Sequence, residues 1–266
     1  MTTSTPDTAD TIARLCGGRP AVLRGAGLEW PVYAALQESR LRELDDRPVV
    51  AEGPERQPVT AWLTEVLDEL RVERPQGLYL RNQLISEFEP TLWSLVPREV
   101  RRLNWLLALP ADARPDWVWL MIGGAGTSSP LHVDTMASAA WNLLCSGRKK
   151  WTFHSPARAE EWHLLPPGCC TAGACDEESV EVVQGPGDIV VTPSGWAHEV
   201  HNVTGTVSVT ANFINRSNLD FAKRYFEVLG KTADHELLTA VGATFERLGA
   251  GGVSGASTVS AGSSSR

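Results

Sequence analysis

The chain has 266 residues, 42% of them apolar, which is enough to fill a substantial core, and a formal net charge of −8. The acidic balance argues against general nucleic-acid binding, which relies on a surplus of Lys and Arg on one face; Arg98, Arg101 and Arg102 read as a solvated helix face. Met1 to Asp10 is Thr-rich and acidic, without the basic start and apolar run of a secretory leader, and no apolar stretch approaches bilayer length. Five unevenly spread cysteines do not form a disulfide framework. The expectation is a soluble, intracellular protein, cytoplasmic or, in a eukaryote, nuclear, without a membrane partner.

Residues 1–17 read as a flexible tail with a short helix at Thr8–Leu15. Arg19 to Gly25 reads as a strand entering a turn, Tyr33 to Leu44 as helical, and Pro48 to Ala51 as a second strand. Trp62, Leu63, Val66, Leu67 and Leu70 have the spacing of an amphipathic helix, with Thr60 as its N-cap. Gly77 to Asn82 predicts a strand, Leu92 to Leu109 a helical region closed by Pro110 and Pro115, and Asp116 to Ile122 a strand buried on both faces. The glycine-rich loop Gly123 to Ser129 lacks the Gly-Lys-Ser/Thr of a phosphate cradle. From His132 to Phe213, short strands alternate with Gly, Pro and Ser turns, as in a sandwich or jelly roll, interrupted by an insertion at Glu160 to Asp176. Its His163, Cys169, Cys170 and Cys175 lack a Cys-x-x-Cys pair, so free thiols are expected rather than a zinc knob. Helices follow at about 216–248, and the Gly/Ser-rich 249–266 should be a disordered tail.

His132 and Asp134 are two apart, so on a strand both point to one face and can reach one ion. A turn, an apolar strand and a second turn run from Gly185 to Ala197 and deliver His198. Two histidines and a carboxylate leave coordination positions open on iron, room for a bidentate oxo acid and dioxygen. Zinc takes the same ligand set, so the residues between the ligands must decide. His201 competes with His198; three apart on one strand, they face opposite ways.

Five segments resemble the Jumonji-C (JmjC) family of Fe(II)- and 2-oxoglutarate-dependent oxygenases, in its small hydroxylase-like branch. They are Ser129–Asp134, Ser138–Leu144, Gly147–Trp151, Gly187–His198 and Thr210–Phe213, in the family's order. The resemblance spans about residues 18–230. It implies a mainly β fold with flanking helices: a double-stranded β-helix, jelly-roll or cupin-like, with its core at about 116–215 inside one catalytic domain of residues 18–248. It also implies iron ligands His132, Asp134 and His198, with 2-oxoglutarate and O2 as cosubstrates. Lys149 falls where the family's basic residue pairs with the far carboxylate of 2-oxoglutarate, Lys150 being the neighbouring alternative, and Asn142 where that cosubstrate is hydrogen-bonded. A dianion in a narrow barrel needs a fixed cation and several donors. Ser129, Thr210 and Asn212 are expected around the cosubstrate, and Tyr79 and Trp119 at its pocket or mouth. The implied activity is hydroxylation of a protein or peptide side chain with release of succinate and carbon dioxide. The rivals are a small-molecule hydroxylase, an N-methyl demethylase, and a non-catalytic cupin-like binding protein. The helices after the barrel are expected either to pair two copies or to pack back on the barrel.

Overall fold

The computed structural model describes residues 5–72, 77–170 and 179–251. In chain order the strands are β1 (Ala21–Leu23), β2 (Pro48–Glu52), β3 (Pro58–Trp62), β4 (Tyr79–Leu84), β5 (Val118–Gly123) and β6 (Ser128–His132). They continue with β7 (Ala139–Ser146), β8 (Lys149–His154), β9 (Ser179–Gln184), β10 (Ile189–Thr192), β11 (Ala197–Asn202) and β12 (Thr206–Phe213). Among the described residues these form an eight-stranded sheet, β1-β10-β7-β12-β5-β4-β2-β3, and a four-stranded sheet, β6-β11-β8-β9. Every pairing is antiparallel. The fold is thus mainly antiparallel β with flanking helices, consistent with a jelly roll of cupin type.

Strand alternation explains how the large sheet divides polar from apolar. On β12, Val207, Val209, Ala211 and Phe213 enter the main core with Trp141, Leu143 and Cys145 of β7. Thr206, Ser208, Thr210 and Asn212 take the other face, toward the small sheet, and are buried as well. A strand buried on both faces normally reads as continuously apolar. Four buried polar residues on one face therefore mark an interior built to hold something polar.

Helices cover the outer face of the large sheet. The helix Thr5–Leu15, three residues longer at its start than predicted, buries Ala9 and Ile12 in the main core. At the other end of the chain, Leu219–Val228 and Thr232–Gly251 pack back through Ala222, Phe226, Leu238 and Val241 onto Leu106 and Trp117. Phe245 stacks on Trp105 at 4.5 Å and 3°. Residues beyond Gly251, most of the expected tail, lie outside the described residues.

Two sequence expectations change, at Thr60 and at Cys170. Thr60 caps no helix: it pairs with Val50 in the β2–β3 hairpin, and the helix starts at Leu63, where the Glu65 carboxylate accepts the Trp62 N–H at 2.7 Å. Hairpin pairing outweighs the amphipathic spacing there. The helical region expected at Leu92 to Leu109 is present as short pieces, Thr91–Ser94, Arg98–Arg101 and Trp105–Ala108. Pro97, which has no N–H to donate, separates the first two. In the insertion Cys169 is a buried free thiol, but Cys170 is disulfide-bonded, and Cys175 lies outside the described residues.

Candidate metal centre

His132 ends β6 and His198 lies directly opposite it on β11. Their ring centroids are 4.3 Å apart. Asp134 follows β6, with Oδ1 3.9 Å from His132 Nε2. One ligand atom from each of the three residues falls within 4.8 Å of the others, and this is the cluster of metal-binding type found among the described residues.

The backbone fixes both imidazole tautomers. His132 Nδ1 is 2.7 Å from the Pro130 carbonyl and His198 Nδ1 is 3.1 Å from the Trp196 carbonyl. Carbonyls only accept, so each Nδ1 carries the proton and each Nε2 presents a lone pair. His198 is buried, and desolvation, opposed by the Asp134 charge, pushes its pKa down to about 4, so the ring is neutral at physiological pH.

Asp134 Oδ2 is buried and unpartnered. An orphaned buried carboxylate oxygen is costly unless a cation joins it. The turn after it is strained as well, with Met136 at φ 54° and Ala137 at φ 48°. Ser138 Oγ donates to the Thr135 carbonyl and Asn212 Nδ2 donates to Ser138 Oγ, which ties that turn to β12.

His198 owes its position to the turn before β11. Gly195 has φ +78°, and a Cβ there would sit 2.3 Å from the Phe221 ring. Inward residues of β11 are then His198, Val200 and Asn202, while His201 is exposed, with Nε2 3.7 Å from Glu199. His201 thus lies on the exposed face of β11, and its partner on β6 is Ser128 rather than His132.

The same alternation separates the two lysines. Gly147, at φ +81° and close against Gly205, makes the turn that starts β8 with Lys149 inward. Lys149 is 1% exposed and donates to Ser208 Oγ at 2.7 Å, whereas Lys150 pairs with Glu181 at 2.7 Å on the outside. No carboxylate contacts the Lys149 ammonium among the described residues, and desolvation lowers its pKa to about 7. Lys149, Asn142, Ser129, Tyr79, Thr210 and Asn212 all line one cavity with the three metal-type residues.

The description "JmjC domain, hydroxylase" matches residues 176–213, which contain His198, Thr210 and Asn212. The chain is 27% identical over 249 residues to arginine-specific demethylase JMJ22 of Arabidopsis thaliana, covering 83% of this chain and 48% of that protein. It is 32% identical over 126 residues to the human 2-oxoglutarate and iron-dependent oxygenase JMJD4, covering 42% and 30%. It is 29% identical over 128 residues to the bifunctional arginine demethylase and lysyl-hydroxylase psr-1 of Caenorhabditis elegans, covering 40% and 32%. The chain is thus similar to JmjC-domain proteins, by the family match at residues 176–213 and by these relatives. It spans about half the length, or less, of these relatives.

Several residues of this cavity escape a motif-based reading. Ser208, the hydroxyl partner of Lys149, is two before Thr210, so simple alternation along β12 finds it. Met121, Ala140, Trp151 and Thr192 complete the lining with no motif of their own. Trp119 is outside that lining: it packs with Trp105, Leu109 and Met136 against the Leu106 cluster. Thr210 keeps its hydroxyl on the Trp141 carbonyl at 2.9 Å.

The residues fit an iron and an oxo acid. The unpartnered Asp134 oxygen and the two Nε2 lone pairs form a donor set of borderline hardness suited to Fe(II). The buried ammonium lacks a counter-ion within the same cavity, which suits a carboxylate. A purely structural zinc site would need a fourth protein ligand and no buried cation beside it.

Proposed function

We propose that this chain is an Fe(II)- and 2-oxoglutarate-dependent oxygenase that hydroxylates a protein or peptide side chain. The observation that carries this reading is the shared cavity: an orphaned carboxylate oxygen beside two imidazoles, and a buried ammonium without a counter-ion. His132, Asp134 and His198 would hold the iron, and Lys149, with Asn142, the cosubstrate. When bound, iron and 2-oxoglutarate supply the oxidation: the oxo acid loses carbon dioxide to become succinate, taking one oxygen atom of O2, and the other enters a substrate C–H bond.

The chain's own residues contribute binding, orientation and exclusion of water. Trp151 and Phe153, stacked on each other, flank His198 at 5.8 and 5.6 Å and cover that side of the ring with apolar surface. His132, with its side chain 41% exposed, faces the opening, where a substrate would approach. Ser129 and Tyr79, on the cavity wall, add hydroxyls toward the cosubstrate. Residues 156–165, at the start of the insertion, pack Ala159 and Leu165 behind Leu131, Val133 and Ala197, bracing the strands that carry both histidines.

The activities for which these relatives are named, arginine demethylation and lysyl hydroxylation, support a protein residue as substrate over a metabolite. Demethylation is the second reading, because the same cavity oxidises an N-methyl carbon when that carbon is presented. Pairing of two copies through the exposed Val228, Leu229 and Leu237 also remains a proposal, read by sedimentation. The deciding experiment is succinate release with Fe(II), 2-oxoglutarate and O2. Wild type should turn over slowly without a prime substrate, and His132→Ala and Lys149→Ala should not. Absence of turnover in wild type even with substrate peptides, or undiminished turnover in His132→Ala, would overturn the reading.

A further inference from the structure

We propose that Gln184 is a positioning residue that sets the polarity of the cosubstrate pocket by orienting the Asn142 amide; the inference rests on the oxygenase reading above. Gln184 ends β9, is fully buried, pairs in register with Lys149, and does not itself line the cavity.

Its carboxamide has one permitted orientation. The Trp151 indole N–H, which can only donate, lies 2.9 Å from Gln184 Oε1. Gln184 Nε2 lies 2.9 Å from the Asn142 carbonyl and 3.0 Å from the Asp188 carbonyl, which can only accept. Both ends of the amide therefore agree on which atom is nitrogen. That nitrogen also sits 3.2 Å from Asn142 Oδ1. A reversed Asn142 amide would set one NH2 group against another, so the relay Trp151 to Gln184 to Asn142 turns the Asn142 oxygen outward from the cavity.

The consequence is chemical. Asn142 Nδ2 is left to donate into the cavity that Lys149 also enters, and a pocket for a dianion needs donors on its wall rather than carbonyl oxygens. The competing account makes Gln184 a stitch between β7 and the turn before β10, with no effect through the Asn142 side chain.

The test is calorimetric binding of 2-oxoglutarate to the Mn(II)-loaded protein, with Gln184→Glu, Gln184→Met, Asn142→Ala and the Gln184→Met/Asn142→Ala pair. Gln184→Glu still accepts from Trp151 but cannot donate, so Asn142 can reverse, and affinity should fall about tenfold or more. Gln184→Met adds no charge and should weaken binding severalfold in the wild-type background and by less than twofold in Asn142→Ala. The Trp151 indole N–H resonance should persist in Gln184→Glu, showing that the fold and the first bond survive. Wild-type affinity in Gln184→Glu, or an equal cost of Gln184→Met in both backgrounds, would overturn the relay. If wild type binds no 2-oxoglutarate, the oxygenase reading fails separately. The relay is then judged on the Asn142 side-chain amide resonances, which move in Gln184→Glu if it exists and stay in place if it does not.

Discussion

His132 and His198 face each other across the β6–β11 pairing with ring centroids 4.3 Å apart, each held by a backbone carbonyl two residues earlier in the chain. Two rings held in this way turn their Nε2 atoms to a common centre. Replacing either by Ala should lower divalent metal affinity by at least a hundredfold, while the melting temperature of the metal-free protein stays within a few degrees, as differential scanning calorimetry with and without Mn(II) can check.

Asp134 makes the same argument with the opposite sign for stability. Its Oδ2 is buried without a partner, so Asp134→Ala should raise the melting temperature of the metal-free protein and abolish the further rise that metal gives wild type. A metal-induced rise equal to that of wild type would show that the carboxylate is not a ligand.

Lys149 should show a trade-off between binding and stability. Its folded-state pKa, about 7, lies below the ordinary 10.5, so between those values the unfolded chain holds the extra proton and stability increases with pH. Below about pH 7 the full cost of the buried charge is present. Lys149→Met should remove that slope and stabilise the metal-free protein by about 1–4 kcal/mol in chemical denaturation, while losing 2-oxoglutarate binding. A carboxylate raises the pKa of its ammonium partner, so binding takes up a proton and wild-type affinity for 2-oxoglutarate should decline as pH rises above about 7.

Gly195→Ala should cost about 2–3 kcal/mol, because the residue would have to hold a left-handed backbone with its methyl driven into the Phe221 ring. The loss in metal affinity should be larger than at Gly230, which also has a positive φ but where a Cβ meets nothing within 4 Å. Equal metal binding in Gly195→Ala and Gly230→Ala would remove the turn from the account.

What could be read in the chain depended on range. The His-x-Asp pair, the Pro-x-Gly turn before His198 and the β12 alternation are local, and local spacing fixes which side chains share a face. Ser208 was legible by the same rule once Thr210 was placed inward. Lys149 and Lys150 differ only by the register that the Gly147 turn imposes, and that turn is set by close approach to Gly205, 58 residues away in sequence by their numbering. Trp119 was ambiguous because both faces of β5 are apolar, one turned to the main core and the other shared between the Leu106 cluster, at Trp119, and the cavity, at Met121. Thr60 failed as an N-cap because β2 offered it a strand partner. Gln184 was invisible: its meaning lies in contacts to Trp151, Asn142 and Asp188 that no spacing encodes.

The central claim is that this cavity holds one iron through His132, Asp134 and His198. An anaerobic Fe(II) titration in the presence of 2-oxoglutarate, followed by calorimetry on wild type, His198→Ala and His201→Ala, tests it most directly. The account predicts one ion bound per chain in wild type and in His201→Ala, whose exposed ring faces away from the centre, and none in His198→Ala at the same concentrations. Undiminished Fe(II) binding in His198→Ala, or its loss in His201→Ala alone, would contradict it.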